Sequence, residues 1–599
     1  MSDSICWGLA LSRAGAPVLE RLDQGGLLKA RAEAGAGAAE LLRRHWSGAS
    51  AFVVVGACGA VTRLVAPLLQ GKEHDPAVVV VDPQGRFAIP LLGGHGAGAE
   101  QLSQRVAALL GGEAVLTGGS SGGGSLALDS FGLDWGWRKG LGDWSALMKA
   151  VARGERIAVR QENGCSDWQG LQAAATLLQP QAETPKEPAL AESPPLQLVI
   201  SPRRGSGCRW HPPSLWLGLG CERDTSLSLL ERLLEQALDD TQLAPEAVAG
   251  LASIDRKGDE PALLELARRH QWPLRLFSAE ALAAVPVPSP SEAVLREMGT
   301  ASVAEAAALL ASSPQPDLLL EKRIERARPG ERGAATLAVA QTGGQWAPQR
   351  GRIHLVGSGP GRLDLLTPEA RLALAESTVW VDYSLYLDLL EPLRRPDQLR
   401  RDGRLTEERD RCRLALELAD AGLSVALVSS GDSGIYGMAG LALELWLERA
   451  PAERPAFSVH PGLSALQVAA ARAGAPLMHD FCTISLSDRL TPWATIEKRL
   501  RAATSGDFVV ALYNPRSLGR DWQLGRAREL LLEGRSAETP VVLARQLGRA
   551  EESVQLHSLG DLPLDQVDML SLVLVGNSTS RRQDGMMVTP RGYPGAELC

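Results

Sequence analysis

Residues 353–374 read IHLVGSGPGRLDLLTPEARLAL, and this stretch decides the fold of the C-terminal part of the chain. Ile353–Val356 is a short apolar run of the kind that forms a buried strand. Three glycines, Gly357, Gly359 and Gly361, follow it at once. Thr367 is a good helix N-cap, Pro368 suits the first helical turn, and Glu369 complements the helix dipole. Strand, glycine loop and helix in succession make the repeating unit of an α/β fold. The loop itself admits three readings. A dinucleotide fingerprint G-x-G-x-x-G would need glycine at position 362, which is Arg362. Pro360 also removes an N–H that would cradle a pyrophosphate. A structural turn and a loop shaped for another flat ligand stay open beside it.

The same plan recurs at residues 424–446, SVALVSSGDSGIYGMAGLALELW. Gly431, Gly434 and Gly437 let a ligand come close to the backbone. Asp432 would sit at a strand's carboxyl end, where open α/β sheets bind ligands; it serves equally as a helix cap. Phe508–Leu512 and Leu572–Val575 are two further apolar strands. Working outward, a Pro/Glu/Ala-rich linker is expected at 179–213 and a second, short connection at 341–350. The chain then divides into 1–178, 214–340 and 351–599. Block 1–178 alternates β-branched runs (Phe52–Val55, Val78–Val81) with helical spacing. Block 214–340 opens on the strand and turn LWLGLGCERDTS and repeats the plan at LASIDRKGDEPALLELARRH. The expected class is multidomain α/β throughout.

The 599 residues are 45% hydrophobic and 22% charged, as in ordinary globular proteins. A net charge of −8 argues against nucleic acid as the main partner. Eight cysteines carry no C-x-x-C pair and no zinc spacing, so they read as free thiols and no metal is expected. No basic-then-apolar signal segment opens the chain and no apolar run approaches about 20 residues, so a cytoplasmic protein off the membrane is expected.

Residues 351–599 resemble the tetrapyrrole methylase family. The resemblance is carried by VGSGPGRLDLLTPEA, VDYSLYLDLL, ALVSSGDSGIYGMAGLALEL, HPGLSALQVAAARAGAPLMHDFCTISLSDRLTPW, DFVVALYNPRS, VDMLSLVLVGNS and TPRGY. HDFCTISLSDRLTPW with YNPRS is similar to the precorrin-3B C-17 methyltransferases of cobalamin biosynthesis. One departure is Ser433, where the wider family has proline. The resemblance implies two α/β domains with S-adenosylmethionine between them, usually in a homodimer. It implies that Gly431, Asp432, Ile435, Tyr436, Ser464, Ala465, Tyr513 and Asn514 contact that cofactor. The loop Ser358, Gly359, Pro360, Gly361 through Asp364 should face the tetrapyrrole. Methyl transfer from a sulfonium needs alignment more than a nucleophilic side chain. The ring contraction that accompanies it in the family needs a base. Asp364, His479 and Asp480 are the candidates, with a core histidine and a helix cap as the plain readings of the latter two.

The first 340 residues resemble the lactone-opening cobalt-precorrin-5A hydrolases of the same pathway, through residues 56–119 and through GLGCERDTS, SIDRKGDEPALLELA and GTASVAEAAALL. Here the family's GH-x-GGAN pattern reads Gly94-His95-Gly96-Ala97-Gly98-Ala99-Glu100, and its Thr-rich segment reads Thr117-Gly118-Gly119-Ser120. Glu100 in place of asparagine puts an anion where a polycarboxylate macrocycle would bind. A hydrolase and a non-catalytic tetrapyrrole-binding part therefore both stay open, with Lys257, Asp259 and Glu260 as candidate substrate contacts. Whether the substrate carries cobalt is left open too.

Overall fold

A computed structural model describes residues 5–32, 37–71, 74–94, 97–116, 126–171, 174, 178–180, 196–348, 350–404, 407–517 and 519–594. His95, Gly96 and the segment Thr117–Ser120 lie outside the described residues. Five larger sheets succeed one another along the chain. In the first, the neighbouring strands Ala51–Val55 and Ala77–Val81 are buried at every position. Their side chains alternate between two cores, Val53, Val55, Val79 and Val81 on one face and Phe52, Val54, Val78 and Val80 on the other. Unbroken β-branched runs are what a strand covered on both faces requires.

The second sheet departs from the expected boundaries. Gln197–Ile200 and Cys208–His211 are strands, and Gln197–Ile200 pairs with Ile157–Gln161. The expected 179–213 linker thus contributes two strands to a sheet that begins before it. Segments of four residues are too short to show a period of their own. This sheet also shares one continuous core with the C-terminal part: Trp135, Trp168 and Trp210 belong to the same apolar cluster as Ile353, Leu355, Val425 and Leu427. Gln345, in the expected 341–350 connection, joins the two. Its Nε2 donates to Trp135 O at 2.7 Å on one side and to Ala421 O on the other, and its Oε1 accepts from Trp137 Nε1 at 2.7 Å and from Cys165 N at 3.1 Å.

The third sheet, residues 215–342, runs in the order Leu274–Phe277, Val248–Ile254, Leu215–Cys221, Ala334–Thr342, Pro316–Arg326. The fourth holds Leu399–Gly403, Val379–Tyr383, Ser424–Ser429, Arg352–Gly357 and Ala456–His460, in that order and all parallel. Strands Arg352–Gly357 and Ser424–Ser429 are distant in sequence but adjacent in the sheet. Their two glycine loops therefore emerge side by side at the carboxyl edge. The fifth sheet, from Phe481–Ser485 to Ser571–Val575, is mixed. Among the described residues no helix is long and apolar enough to cross a membrane.

Candidate active site

The two glycine loops are laced together. Gly359 N donates to Gly431 O at 3.1 Å and Gly431 N to Gly359 O at 2.8 Å. Both residues sit at φ near +70°, +69° for Gly359 and +68° for Gly431, which glycine adopts without strain. A third loop, Pro461–Ser464, closes on them. A Cβ at Gly462 would stand 2.1 Å from Gly431 O, and one at Gly357 would stand 2.5 Å from Gly462 N. Asp432 pins this seam: Oδ1 accepts from Gly434 N at 2.9 Å and Oδ2 from Gly462 N at 3.1 Å. Ser464 caps the next helix, with its N–H donating back to Gln467 Oε1 at 2.9 Å.

Beyond the seam lies a cleft open to solvent, with about 860 Å³ of free space, between the parallel sheet and the mixed sheet. Gly431, Asp432, Ile435, Tyr436, Ser464, Ala465, Tyr513 and Asn514 all line it, as does Pro360. The Tyr436 and Tyr513 rings lie 5.2 Å apart. Tyr513 Oη accepts from Leu466 N at 3.2 Å, and burial pushes its phenol up. Asn514 Nδ2 donates to Ser485 Oγ at 3.1 Å. Tyr436, Asn514 and Gln546 line the cleft with positive φ, +55°, +51° and +48°. Such non-glycine residues are uncommon and gather at functional sites.

The remaining expected residues fall elsewhere. Ser358 is buried behind the cleft, its Oγ donating to Ser429 O at 3.2 Å. Gly359 belongs to the seam, and Gly361 packs against Gly548 O, where a Cβ would stand at 2.9 Å. Asp364, His479 and Asp480 are not among the lining residues. Asp364 is exposed and accepts from Arg362 Nε at 2.9 Å, which holds its carboxyl below the usual range. His479 Nδ1 accepts from Asp480 N at 2.9 Å at the protein surface.

Other lining residues went unassigned in the sequence: Tyr386, Ser430, Gln546, Leu547, Arg549 and Met569–Leu572. Tyr386 lies in VDYSLYLDLL and Leu570–Leu572 in VDMLSLVLVGNS, segments that carry the resemblance without pointing to a role. Nothing in the sequence marks Arg549. Behind Tyr386, Asp382 is 1% exposed and its Oδ2 lacks a hydrogen-bond partner. Burial lifts its carboxyl to about 7 against the opposing pull of Arg411, whose Nε is 3.5 Å from Oδ1.

In the third sheet, Lys257 and Glu260 are buried together, with Nζ 3.7 Å from Oε2. Neither Glu260 oxygen has a hydrogen-bond partner. Asp259 is exposed and pairs with Arg223. In the first block, Glu100 folds back over Gly94, where a Cβ would stand 3.4 Å from Glu100 Oε1. Among the described residues no cluster of three or more His, Cys, Asp or Glu side chains could hold a metal ion.

Comparison with known proteins finds three family matches. Residues 352–563 match the tetrapyrrole (corrin/porphyrin) methylases, residues 215–340 the cobalamin synthesis G C-terminus and residues 40–121 the cobalamin synthesis G N-terminal region. A probable cobalt-factor III C(17)-methyltransferase of Salmonella typhimurium is 48% identical over 245 residues, 40% of this chain and 99% of that protein. A precorrin-3B C(17)-methyltransferase of a Sinorhizobium species is 43% identical over 253 residues, 41% of this chain and 98% of that protein. The crystal structure of the methyltransferase CobJ is 43% identical and covers 40% of this chain and 100% of its own, with a TM-score of 0.38.

Proposed function

We propose that this chain, which belongs to the tetrapyrrole methylase family, transfers a methyl group from S-adenosylmethionine to C-17 of precorrin-3B or its cobalt form, with ring contraction, in cobalamin biosynthesis. The observation that carries this is the 48% identity to a C(17)-methyltransferase over 99% of that protein's length. The cleft's chemistry supports it. Gly431 and Ala465 keep one wall free of bulk, two tyrosine rings offer apolar surface, and Asp432 keeps unused lone pairs for a hydroxyl or ammonium. When bound, S-adenosylmethionine supplies an electrophilic sulfonium methyl. The chain's own task is to hold donor and acceptor in line and exclude water, which is worth up to roughly 7–11 kcal/mol. The loop Ser358–Gly361 bounds the macrocycle's side through Pro360. This reading includes a cytoplasmic homodimer acting on a small molecule.

The test incubates the full chain with S-adenosylmethionine and either metal-free precorrin-3B or cobalt-factor III. Mass spectrometry should find one added methyl group on one or both. No added methyl on either sinks the proposal.

The matches at 40–121 and 215–340 favour a second reading for the front of the chain: it opens a precorrin lactone. The buried Lys257–Glu260 pair gives that reading a charged centre, and a non-catalytic tetrapyrrole-binding part is its competitor. Acetaldehyde release from a lactone intermediate by the full chain separates the two. No release leaves the binding role.

A further inference from the structure

Among the described residues, the cleft's lining carries one anion, Asp432, and one cation, Arg549. The two do not pair. Asp432 is turned to the seam, where it accepts from Gly434 N and Gly462 N. Arg549 is half-buried, and among the described residues no hydrogen bond or ion pair engages its guanidinium. The carboxylates nearest to it in sequence serve other donors. Glu551 accepts from Gln546 Nε2 at 3.0 Å, and Glu552 accepts from Arg472 Nε at 2.9 Å and from Gly548 N at 2.7 Å. Other arginines around the cleft are satisfied inside the protein: Arg362 on Asp364, and Arg545 on Asp568 at 3.2 Å. The backbone meanwhile fixes Arg549 in place. Its N–H donates to Gln546 O at 3.0 Å. Gly548, at φ +70°, presses so close to the GPG loop that a Cβ would stand 3.1 Å from Pro360 C and from Arg362 N. The Arg549 stem packs on the same loop, since a Cβ at Gly361 would stand 3.3 Å from Arg549 Cγ. A cation is thus held beside Pro360 with no counter-charge of the protein's own, and a ligand's anion completes it.

Resting on the methyltransferase reading, we propose that Arg549 anchors the acceptor: its guanidinium grips one carboxylate side chain of the macrocycle and fixes which edge of the ring meets the methyl donor. The planar fork of a guanidinium matches a carboxylate through two parallel N–H···O bonds, which sets direction as well as strength. Methyl transfer that depends on alignment needs such a fixed point on the acceptor, because an apolar cleft alone lets a ring turn in its own plane.

The test measures binding apart from turnover. Uroporphyrin III, a fluorescent polycarboxylate ring, and cobalt-factor III are titrated into the full chain, unaltered and as Arg549→Leu, Arg549→Lys and Arg501→Leu. Arg501 pairs with Glu497 outside the cleft, so its loss changes the net charge equally. Arg549→Leu should weaken both rings roughly 10- to 100-fold, the loss of a charge-assisted pair. Arg549→Lys should lose less, because the charge stays and only the fork goes. Arg501→Leu should leave ring affinity within about twofold, and S-adenosylhomocysteine affinity should stay within about twofold in every variant. Added salt should weaken ring binding by the unaltered chain more steeply than by Arg549→Leu. In turnover, Arg549→Leu should raise the KM for the acceptor and leave that for S-adenosylmethionine unaltered. Equal ring affinity in Arg549→Leu and the unaltered chain overturns the proposal. So does a loss shared with S-adenosylhomocysteine, or failure of the unaltered chain to bind either ring. The methyltransferase reading fails separately, if the rings bind through Arg549 but no methyl group reaches either acceptor.

Discussion

Single buried residues set how the protein responds to pH. His354, on the strand Arg352–Gly357, shares a 2.8 Å hydrogen bond with His460 Nε2, and His460 Nδ1 lies 2.9 Å from Glu369 Oε1. Burial, with help from His460, holds the His354 imidazole down at about 3. An unfolded histidine takes up its proton near pH 6.5, so between the two values the unfolded chain binds more protons than the folded one. Stability from this group is full above about pH 6.5 and is lost as pH falls toward 3, about 5 kcal/mol at most. Asp382 works the other way: its raised pKa favours folding at low pH, and that contribution fades as pH rises through about 7. Denaturant titrations at several pH values should show His354→Gln flattening the slope between about pH 3.5 and 6.5. An unchanged slope would mean that His354 is not the source. Lys257 makes a sharper prediction. Removing its ammonium in Lys257→Met leaves buried Glu260 with Arg223 alone, Nη1 3.9 Å from Oε2, which costs up to about 3–5 kcal/mol. The double change to Lys257→Met with Glu260→Leu should recover most of that loss in the same unfolding assay.

At the scale of elements, the candidate site rests on three loops that meet only because the strands before them are neighbours. The residues of those loops were legible in the sequence: glycines in a strand–loop–helix setting, and Asp432 at a carboxyl end. Their mutual approach was not, because pairing of Arg352–Gly357 with Ser424–Ser429 joins segments far apart in the chain. The lining from the mixed sheet was hidden for the same reason. Gln546 and Arg549 come from a loop with no motif, and only the packing of one domain on another brings them to the cleft. The candidate bases show the converse, nearness in sequence without a place in the cleft lining. Asp364 is beside the GPG loop, yet Arg362 draws its carboxylate to the exterior. The seam carries its own prediction. Gly462→Ala would drive a Cβ to 2.1 Å from Gly431 O, well inside contact distance, so the loops must part. Affinity for S-adenosylhomocysteine, read by calorimetry, should fall at least about tenfold, the equivalent of ~1.4 kcal/mol of misplaced contacts. Gly440→Ala, in the helix Ala439–Leu447 with nothing near its Cβ, should leave affinity intact. Equal affinities in the two variants would detach the seam from the binding site.

For the whole molecule, the connection between the front of the chain and the methylase is more than a tether. The first block reaches across through Arg105, whose Nε stands 2.5 Å from Glu376 Oε1. Thr378 Oγ1 donates to Asp134 O at 3.2 Å, and the tryptophan-rich core of residues 126–211 runs into the methylase core without a break. Continuous packing of this kind makes unfolding of one part expose the apolar surface of the other, so the two should melt together. With the methylase's own Trp380, Trp446, Trp493 and Trp522 changed to phenylalanine, tryptophan emission reports from the front of the chain, where Trp135, Trp137, Trp144, Trp168 and Trp210 lie in the shared cluster. The cleft is remote from them in sequence. If the cores are one cooperative unit, saturating S-adenosylhomocysteine must raise the midpoint of the tryptophan transition, because a ligand of the native state stabilises everything that unfolds with its site, by about 2.7 kcal/mol at a hundredfold excess over Kd. Gln345→Ala should weaken the link. It strands the Trp137 indole N–H and the Cys165 N–H, each at roughly 1–3 kcal/mol. In that variant the ligand-induced rise in the tryptophan midpoint should shrink while the rise followed by far-ultraviolet circular dichroism persists. A tryptophan transition indifferent to ligand with Gln345 in place would mean that the two cores, though in contact, unfold separately.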